Sequence, residues 1–458
     1  MTRISPARLV AYDVLRAVSG SDAYANLLLP TAISRAGLSG SDAGLATELT
    51  YGTLRRQGTY DAVIEIAADR AIGRIKPEVL DALRLAVHQL FATRVASHAA
   101  VNESVELARS AGGVKAAGFA NAVLRRISAE SADTWIARLE ELSRSDDERL
   151  AVTSSHPVWI LRAMRRALQA EGREQELPDL LDADNASPAV TLSALPGLAD
   201  VPEDAEQTPY SPIGFRHAGG APDPVVRASG GRLRVQDEGS QLVALALTGL
   251  PDMPGAGERW LDLCAGPGGK TALLAARARE LGASLDANEI TPARAGLVRQ
   301  AIAGVPLDVA VHEQDGRDFA AAHPQVYDRI LVDAPCTGLG ALRRRPEARW
   351  RKSPTDVGDL VGLQTELLDG AIGALKPGGV VAYVTCSPHL AETAGVVADV
   401  RRIWGDGVEE LDARAALQRV SRGVLDLPVP SDGSGHAQLW PHRHGTDGMF
   451  LALLRRRP

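Results

Sequence analysis

Very little of this chain is aromatic or sulfur-bearing. Only 4% of its 458 residues are Phe, Trp or Tyr, and it has four methionines and three cysteines. With so few rings, its cores must be built from Ala, Val and Leu. Cys264, Cys336 and Cys386 are too few, and odd in number, for a disulfide framework, and no two have the C-x-x-C spacing of a metal site. We therefore expect no metal and a reducing, cytoplasmic setting. No stretch approaches the ~18 consecutive apolar residues of a membrane span. The opening MTRISPARLV also lacks the apolar core of a secretory leader, so no membrane is expected. An overall basic excess is missing too. The formal net charge of -7 argues mildly against a nucleic-acid partner, although such a footprint is local and depends on where the cations cluster.

What is present is a globular composition, 45% hydrophobic and 23% charged, on a chain long enough for two or three domains. Residues 1–130 read as all-helical: Ala11, Val14, Leu15 and Val18 fall at i, i+3, i+4, i+7, and similar faces recur near 46–54, 79–91 and 101–107. Helical texture continues to about 180 with a break at Ser155-His156-Pro157. From 185 to 233, Pro, Gly, Ala and Asp become frequent, the texture of a linker or a small α+β module. Strands and helices alternate from 258: apolar strands at 260–264, 329–333 and 380–385, a further strand at 284–287, and a helix over 271–281. That alternation predicts a mostly parallel, doubly wound α/β sheet. Such sheets bind ligands at the carboxyl ends of their strands, where all three cysteines fall.

The turn Cys264-Ala265-Gly266-Pro267-Gly268-Gly269-Lys270-Thr271 misses a Walker A loop by one residue, because G-x-x-x-x-G-K-T needs glycine where Cys264 stands. The other reading is a nucleoside-binding turn, with an acid about 20 residues on for ribose hydroxyls. Glu289 occupies that place, with Asp286 as competitor. Asp333-Ala334-Pro335-Cys336 and Thr385-Cys386-Ser387 close two other strands. A thiolate, a nearby carboxyl and a second thiol suit alkylation at carbon 5 of cytosine: a thiolate adding at carbon 6 makes carbon 5 nucleophilic, and a carboxyl stabilises the proton gained at N3.

DLCAGPGGKT, QDGRDF, LVDAPCTGLGALRRRPEARW, LQTELLDGA, LKPGGVVAYVTCS and LWPHRHGTDGMF together resemble the RNA cytosine-5 methyltransferases of the Sun/Fmu type, over nearly the whole chain. The segments ELTYGTLRR, HAAVNE and FANAVLRR of the helical region resemble NusB, an RNA-binding fold. The resemblance implies a Rossmann-like class I methyltransferase domain at 236–458, an all-α NusB-like domain at 1–130, and linker helices with a small α+β RNA-binding module at 131–235. It implies a monomer that uses S-adenosylmethionine to methylate cytosine in small-subunit ribosomal RNA. Transfer RNA as substrate, or a NusB-like assembly factor with a vestigial catalytic module, are the alternatives. It assigns Cys386 as nucleophile, Cys336 to product release, and Asp333 to cytosine and cofactor. Cys264, Ala265, Gly266, Pro267, Gly268, Gly269, Lys270, Glu289, Asp315 and Asp333 match cofactor positions, Cys264 without a covalent role. The chain departs from the pattern in having Gly266 where alanine is commoner, Glu289 for aspartate, and Glu392-Thr393 for Glu-Asn. After the Cys336 motif, Arg343, Arg344, Arg345, Arg349, Arg351 and Lys352 face only Glu347. We expect Arg343, Arg344, Arg345 and Arg349 to bind RNA phosphates, and Trp350 to pack rather than stack on a base.

Overall fold

The computed structural model describes residues 4–21 and 23–458. The chain forms two compact, interleaved units. One comprises residues 1–162, 184–187 and 342–351, the other residues 163–183, 188–341 and 352–458. The division into two units is by packing and cuts across the expected segments 1–130, 131–235 and 236–458. The helical unit runs further and reclaims two short downstream segments, while residues 188–235 belong with the α/β unit.

The first unit contains α1 (Pro6–Gly20), α2 (Ala25–Arg35), α3 (Gly40–Arg55), α4 (Gln57–Ala68), α5 (Pro77–Ala92), α6 (Ser97–Ser128), α7 (Ala132–Leu142) and α8 (Asp146–Ser154). In α1 the face Ala11, Val14, Leu15, Val18 is buried, as its spacing requires. It joins Leu49, Ile64, Leu83 and Leu124 in a single aliphatic core. The long α6 breaks at Gly113, where φ is 74°, a backbone that only glycine adopts without strain. The interruption at Ser155-His156-Pro157 is the end of α8: Ser155 turns left-handed at φ 60°, and Pro157 precedes the next helix.

Helices α9 (Val158–Ala170) and α10 (Leu177–Asn185) lead to β1 (Thr191–Ala194), β2 (Gly214–Arg216), α11 (Asp223–Ala228) and β3 (Leu233–Val235). These strands form a small antiparallel sheet in the order β2-β1-β3, the α+β module. Then follow α12 (Glu238–Thr248), β4 (Arg259–Asp262), α13 (Gly269–Leu281), β5 (Ser284–Asn288), α14 (Pro292–Ile302), β6 (Val309–His312), α15 (Gly316–Ala322) and β7 (Tyr327–Asp333). The short α16 (Ala348–Arg351) lies in the segment reclaimed by the helical unit. After it come α17 (Pro354–Ala374), β8 (Leu375–Thr385), α18 (Ala394–Trp404), β9 (Val408–Leu411), α19 (Ala413–Val420), β10 (Ala437–Gln438) and, after one more short helix, β11 (Phe450–Arg456).

The large sheet has the order β10-β11-β8-β7-β4-β5-β6, with β9 beside β11. From β8 to β6 every pairing is parallel, and β9 to β11 add an antiparallel edge. Leu331 of β7 faces a core shared with α12, α13 and α19, while Ile330 and Val332 face a second core shared with α15, α17 and α18. Both faces are covered, so the strands read as unbroken apolar runs rather than alternating ones. Strand order reverses between β4 and β7, and ligands of doubly wound sheets settle outside such a switch point. Among the described residues no helix is long and apolar enough to cross a membrane, and no cluster of His, Cys, Asp or Glu could hold a metal ion.

Candidate active site

The glycine turn joins β4 to the N-terminus of α13. Gly268 sits at φ 101°, and a Cβ there would come within 2.5 Å of the Ala301 side chain and 2.9 Å of the Val298 Cα on α14. Glycine is thus needed for its backbone and for the close approach alike. Ala265 N–H donates to the Asn288 carbonyl at 2.9 Å, laying the turn across the end of β5. Just beyond that strand, Glu289 is 2% exposed; its Oε2 accepts from Gly266 N at 3.0 Å and its Oε1 from Thr291 N at 3.0 Å. Asp286, the competitor, is committed elsewhere. It takes hydrogen bonds from Arg259 and from the Tyr327 hydroxyl, the first residues of β4 and β7, at the wrong end of the sheet for a ligand.

Residues 266 and 289 share one volume. A Cβ on residue 266 would lie 2.2 Å from Glu289 Oε2, so the longer acid occupies the volume that an alanine at 266 would need. We expect Gly266→Ala to weaken S-adenosylmethionine binding about tenfold, and Glu289→Asp in the same chain to restore most of it, a coupling normal for residues in contact. Titration calorimetry of the two single variants and the double variant checks this; additive losses would show the positions to be independent.

Behind the turn, Asp262 is 1% exposed and accepts from Thr271 Oγ1 at 2.7 Å. Burial pushes its carboxyl up to about 7, and the nearby carboxylates of Asp333 and Glu289 add to the shift. Lys270 Nζ lies 2.8 Å from Asp333 Oδ2. Burial opposes its charge, but Asp333, and then Cys386, hold its ammonium above its usual range. Sequence reasoning placed Lys270 with the cofactor only. The structure pairs it with the acid that ends β7.

Cys336 follows β7 and Cys386 follows β8, and their Sγ atoms are 3.5 Å apart. Neighbouring parallel strands ending in register put them there: Asp333 pairs with Val384. Gly340 N–H then donates to the Cys386 carbonyl at 2.9 Å, folding the loop after Cys336 back over β8. The Cys336 thiol is raised well above the ordinary range, first by its hydrogen bond to Cys386, then by burial and by the charges of Cys386 and Glu392. Burial pushes the Cys264 thiol far up as well, helped by the charge of Asp262, which suits an unreactive residue. Sequence reasoning missed Asp262 and the tie formed by Thr337, Gln364, Ser387 and Glu392. An acid closing the apolar β4 was a usable signal for Asp262, whereas the tie joins distant segments and leaves no local pattern.

Residues 252–455 match the family model of 16S rRNA methyltransferase RsmB/F, and residues 5–129 match that of the NusB family. The chain is 48% identical to "Putative methyltransferase Rv1407" of Mycobacterium tuberculosis, over 99% of this chain and 97% of that one. It is 31% identical to the probable ribosomal RNA small subunit methyltransferase B of Bacillus subtilis, over 98% of each. The chain belongs to the RsmB/F methyltransferase family. Among solved structures, that of PH0851 superposes with a TM-score of 0.80 at 22% identity, covering 99% of this chain and all of the other, which bears on the fold.

RsmB/F enzymes draw their methyl group from S-adenosylmethionine, and the residues here suit that ligand. It carries a positive sulfonium and a ribose diol. Around the switch point stand Asp262, Glu289, Asp333 and Asp315, which caps α15 by accepting from Arg317 N at 2.9 Å. The hydrogen bond from the Arg317 side chain holds Asp315 below the usual carboxylate range. Buried Oδ1 atoms of Asp262 and Asn288 have no partner within the protein, so donors of a bound ligand have acceptors to meet.

The basic stretch of this RsmB/F chain requires a correction. Arg349 is 0% exposed. Within the helical unit its guanidinium donates to the carbonyls of Arg55 (2.7 Å), Ser155 (3.2 Å) and Asp184 (2.8 Å), and to Asn185 Oδ1 at 2.8 Å. It is a structural bolt and has no face to offer a phosphate. Arg343 is buried as well, and its carbonyl accepts from Arg55. Arg345 is exposed and lies over the Tyr24 ring, and Arg344 is half-buried. Trp350 is 38% exposed; its ring edge lies beside Gly58, where a Cβ would meet it at 2.4 Å.

Proposed function

We propose that this chain methylates carbon 5 of a cytosine in small-subunit ribosomal RNA through a covalent bond to Cys386. The observation that carries the reading is the pair of cysteines 3.5 Å apart at adjacent strand ends, with the Lys270–Asp333 ion pair beside them. Relatives named as small-subunit methyltransferases support the choice of RNA. Cys386 adds to carbon 6 while N3 takes a proton from solvent, which Asp333 stabilises and which leaves again when the C6–S bond breaks; the electron pair of the former C5=C6 bond makes carbon 5 the enamine-like nucleophile. When bound, S-adenosylmethionine supplies the electrophilic methyl group that carbon 5 takes. Loss of the carbon-5 proton to water re-forms the double bond, and the C6–S bond breaks. Cys336 donates its S–H to the departing sulfur of Cys386 and so assists release. The target base must be unpaired or flipped to reach this site. Exposed Arg345 and the helical unit hold the surrounding RNA.

The test is a denaturing gel of Cys336→Ala, Cys386→Ala and the double variant purified from cells. A slow, ribonuclease-sensitive band in Cys336→Ala, absent from the double variant, is expected. Normal methylation by Cys386→Ala with no adduct in any variant would end the two-cysteine reading. Digesting the adduct and sequencing its RNA separates ribosomal from transfer RNA.

A further inference from the structure

Two identical thiols lie in contact, yet the reaction needs one to ionise and the other to keep its proton. What distinguishes them is the charge behind each. Glu392 is 0% exposed and sits just past the turn that follows β8. Its carboxylate accepts from Thr337 N at 2.7 Å, from Thr337 Oγ1, from Ser387 Oγ at 2.7 Å and, more weakly, from Gln364 Nε2 at 3.3 Å. Four donors from three residues thus converge on its two oxygens. Thr337 adjoins Cys336 and Ser387 adjoins Cys386, so this one side chain pins both cysteine-bearing loops. Gln364 reinforces the tie by donating to the Pro335 carbonyl at 2.7 Å, and the Tyr383 hydroxyl donates to the Glu392 backbone carbonyl at 2.7 Å.

We propose that Glu392 is a positioning residue that assigns the two thiols their roles. Its carboxylate, held by the residue next to Cys336, acts on that thiol as a like charge and keeps it protonated, whereas the Lys270 ammonium feels the Cys386 sulfur, which is left as the one that ionises. The inference rests on the two-cysteine reading above and deepens it. The titratable groups around Cys336 are Cys386 and Tyr383 of β8 and Glu392 itself, with His389 on the same turn as Glu392. Lys270 and Asp333 act from the other side, where Lys270 feels the Cys386 charge. Among the groups acting on Cys336, Cys386 and Glu392 are both felt as negative charges. Removing Cys386 therefore isolates what Glu392 does.

The experiment uses the full-length chain carrying Cys386→Ser, without RNA or cofactor. It measures the pH dependence of iodoacetamide alkylation at Cys336 by peptide mass spectrometry. Adding Glu392→Gln, which is isosteric but uncharged, is expected to lower the alkylation midpoint by about one pH unit, a roughly tenfold gain in thiolate at fixed pH. Thr337→Val in the same background removes one hydrogen bond and keeps the charge, so its midpoint should stay put. An unmoved midpoint in Glu392→Gln overturns the proposal. So does a drop of about one pH unit in Thr337→Val, which would make the tie merely structural and is read without reference to the first variant. A trapped RNA adduct together with an unmoved midpoint would sink this inference and leave the cytosine chemistry standing; a moved midpoint without an adduct would do the reverse.

Discussion

Asp333→Ala should lower the single-turnover rate of methyl transfer by about 10³-fold, within the range attributed to a positioned acid or base, without a comparable loss of RNA affinity. Two effects combine. The proton gained at cytosine N3 loses its carboxylate, so addition of the thiolate becomes uphill. Lys270 also loses the oxygen 2.8 Å from its ammonium. Burial already opposes that charge, and the remaining anion that raises Lys270 most strongly is the Cys386 sulfur. An ammonium left to pair with the thiolate alone would stabilise it and blunt its nucleophilicity. Asp333→Asn keeps the shape and removes the charge, and should fall nearly as far. The measurement is methyl transfer from labelled cofactor with enzyme in excess over RNA. A rate for the alanine variant within tenfold of the unmodified enzyme would remove Asp333 from the reaction.

Arg349→Ala should destabilise the helical unit by about 3–5 kcal/mol, because it leaves several buried acceptors without their donor, each costing about 1–3 kcal/mol. The side chain is 0% exposed and serves four acceptors. Burial lowers its guanidinium to about 10, so it stays charged at neutral pH and truncation strips a cation from a ring of carbonyls. Arg349→Lys keeps the charge but cannot reach four acceptors with one point, and should recover only part of the loss. Because a two-unit chain need not unfold in one step, hydrogen exchange resolved by peptide is the right readout. Protection should fall in α3, α8 and residues 342–351. Unchanged protection there, with RNA affinity reduced instead, would return Arg349 to the phosphate-binding role that its sequence neighbourhood suggested.

That reversal shows where a sequence can be read and where it cannot. Strands β4, β7 and β8 were legible because Leu331, Val332, Val381 and Ala382 are buried whichever way they point, which forces unbroken apolar runs. Cys336, Cys386 and the glycine turn were legible because each lies at a strand end within a few residues of its partners in the motif. Arg349 was misread because a run of arginines looks the same whether its charges meet phosphate or backbone carbonyls. Glu392 could be matched to the motif after Cys386, but its role could not be read, since Thr337, Gln364 and Ser387 converge on it only after the strands have paired. Strands β9 and β10 were missed because segments as short as 408–411 and 437–438 lack a periodic length that would mark them.

The helical unit includes residues 342–351, and this sets an order on its making. On a chain synthesised from the N-terminus, α1 to α8 emerge first. The carbonyls of Arg55 and Ser155 nevertheless wait for Arg349, which is added only after β4, β5, β6 and β7 have been laid down. The first-born unit is thus the one completed late, and its buried cation arrives from the far side of the catalytic sequence. A fragment ending near residue 162 is therefore not a smaller version of the helical unit. It lacks the bolt that its own carbonyls were placed to receive.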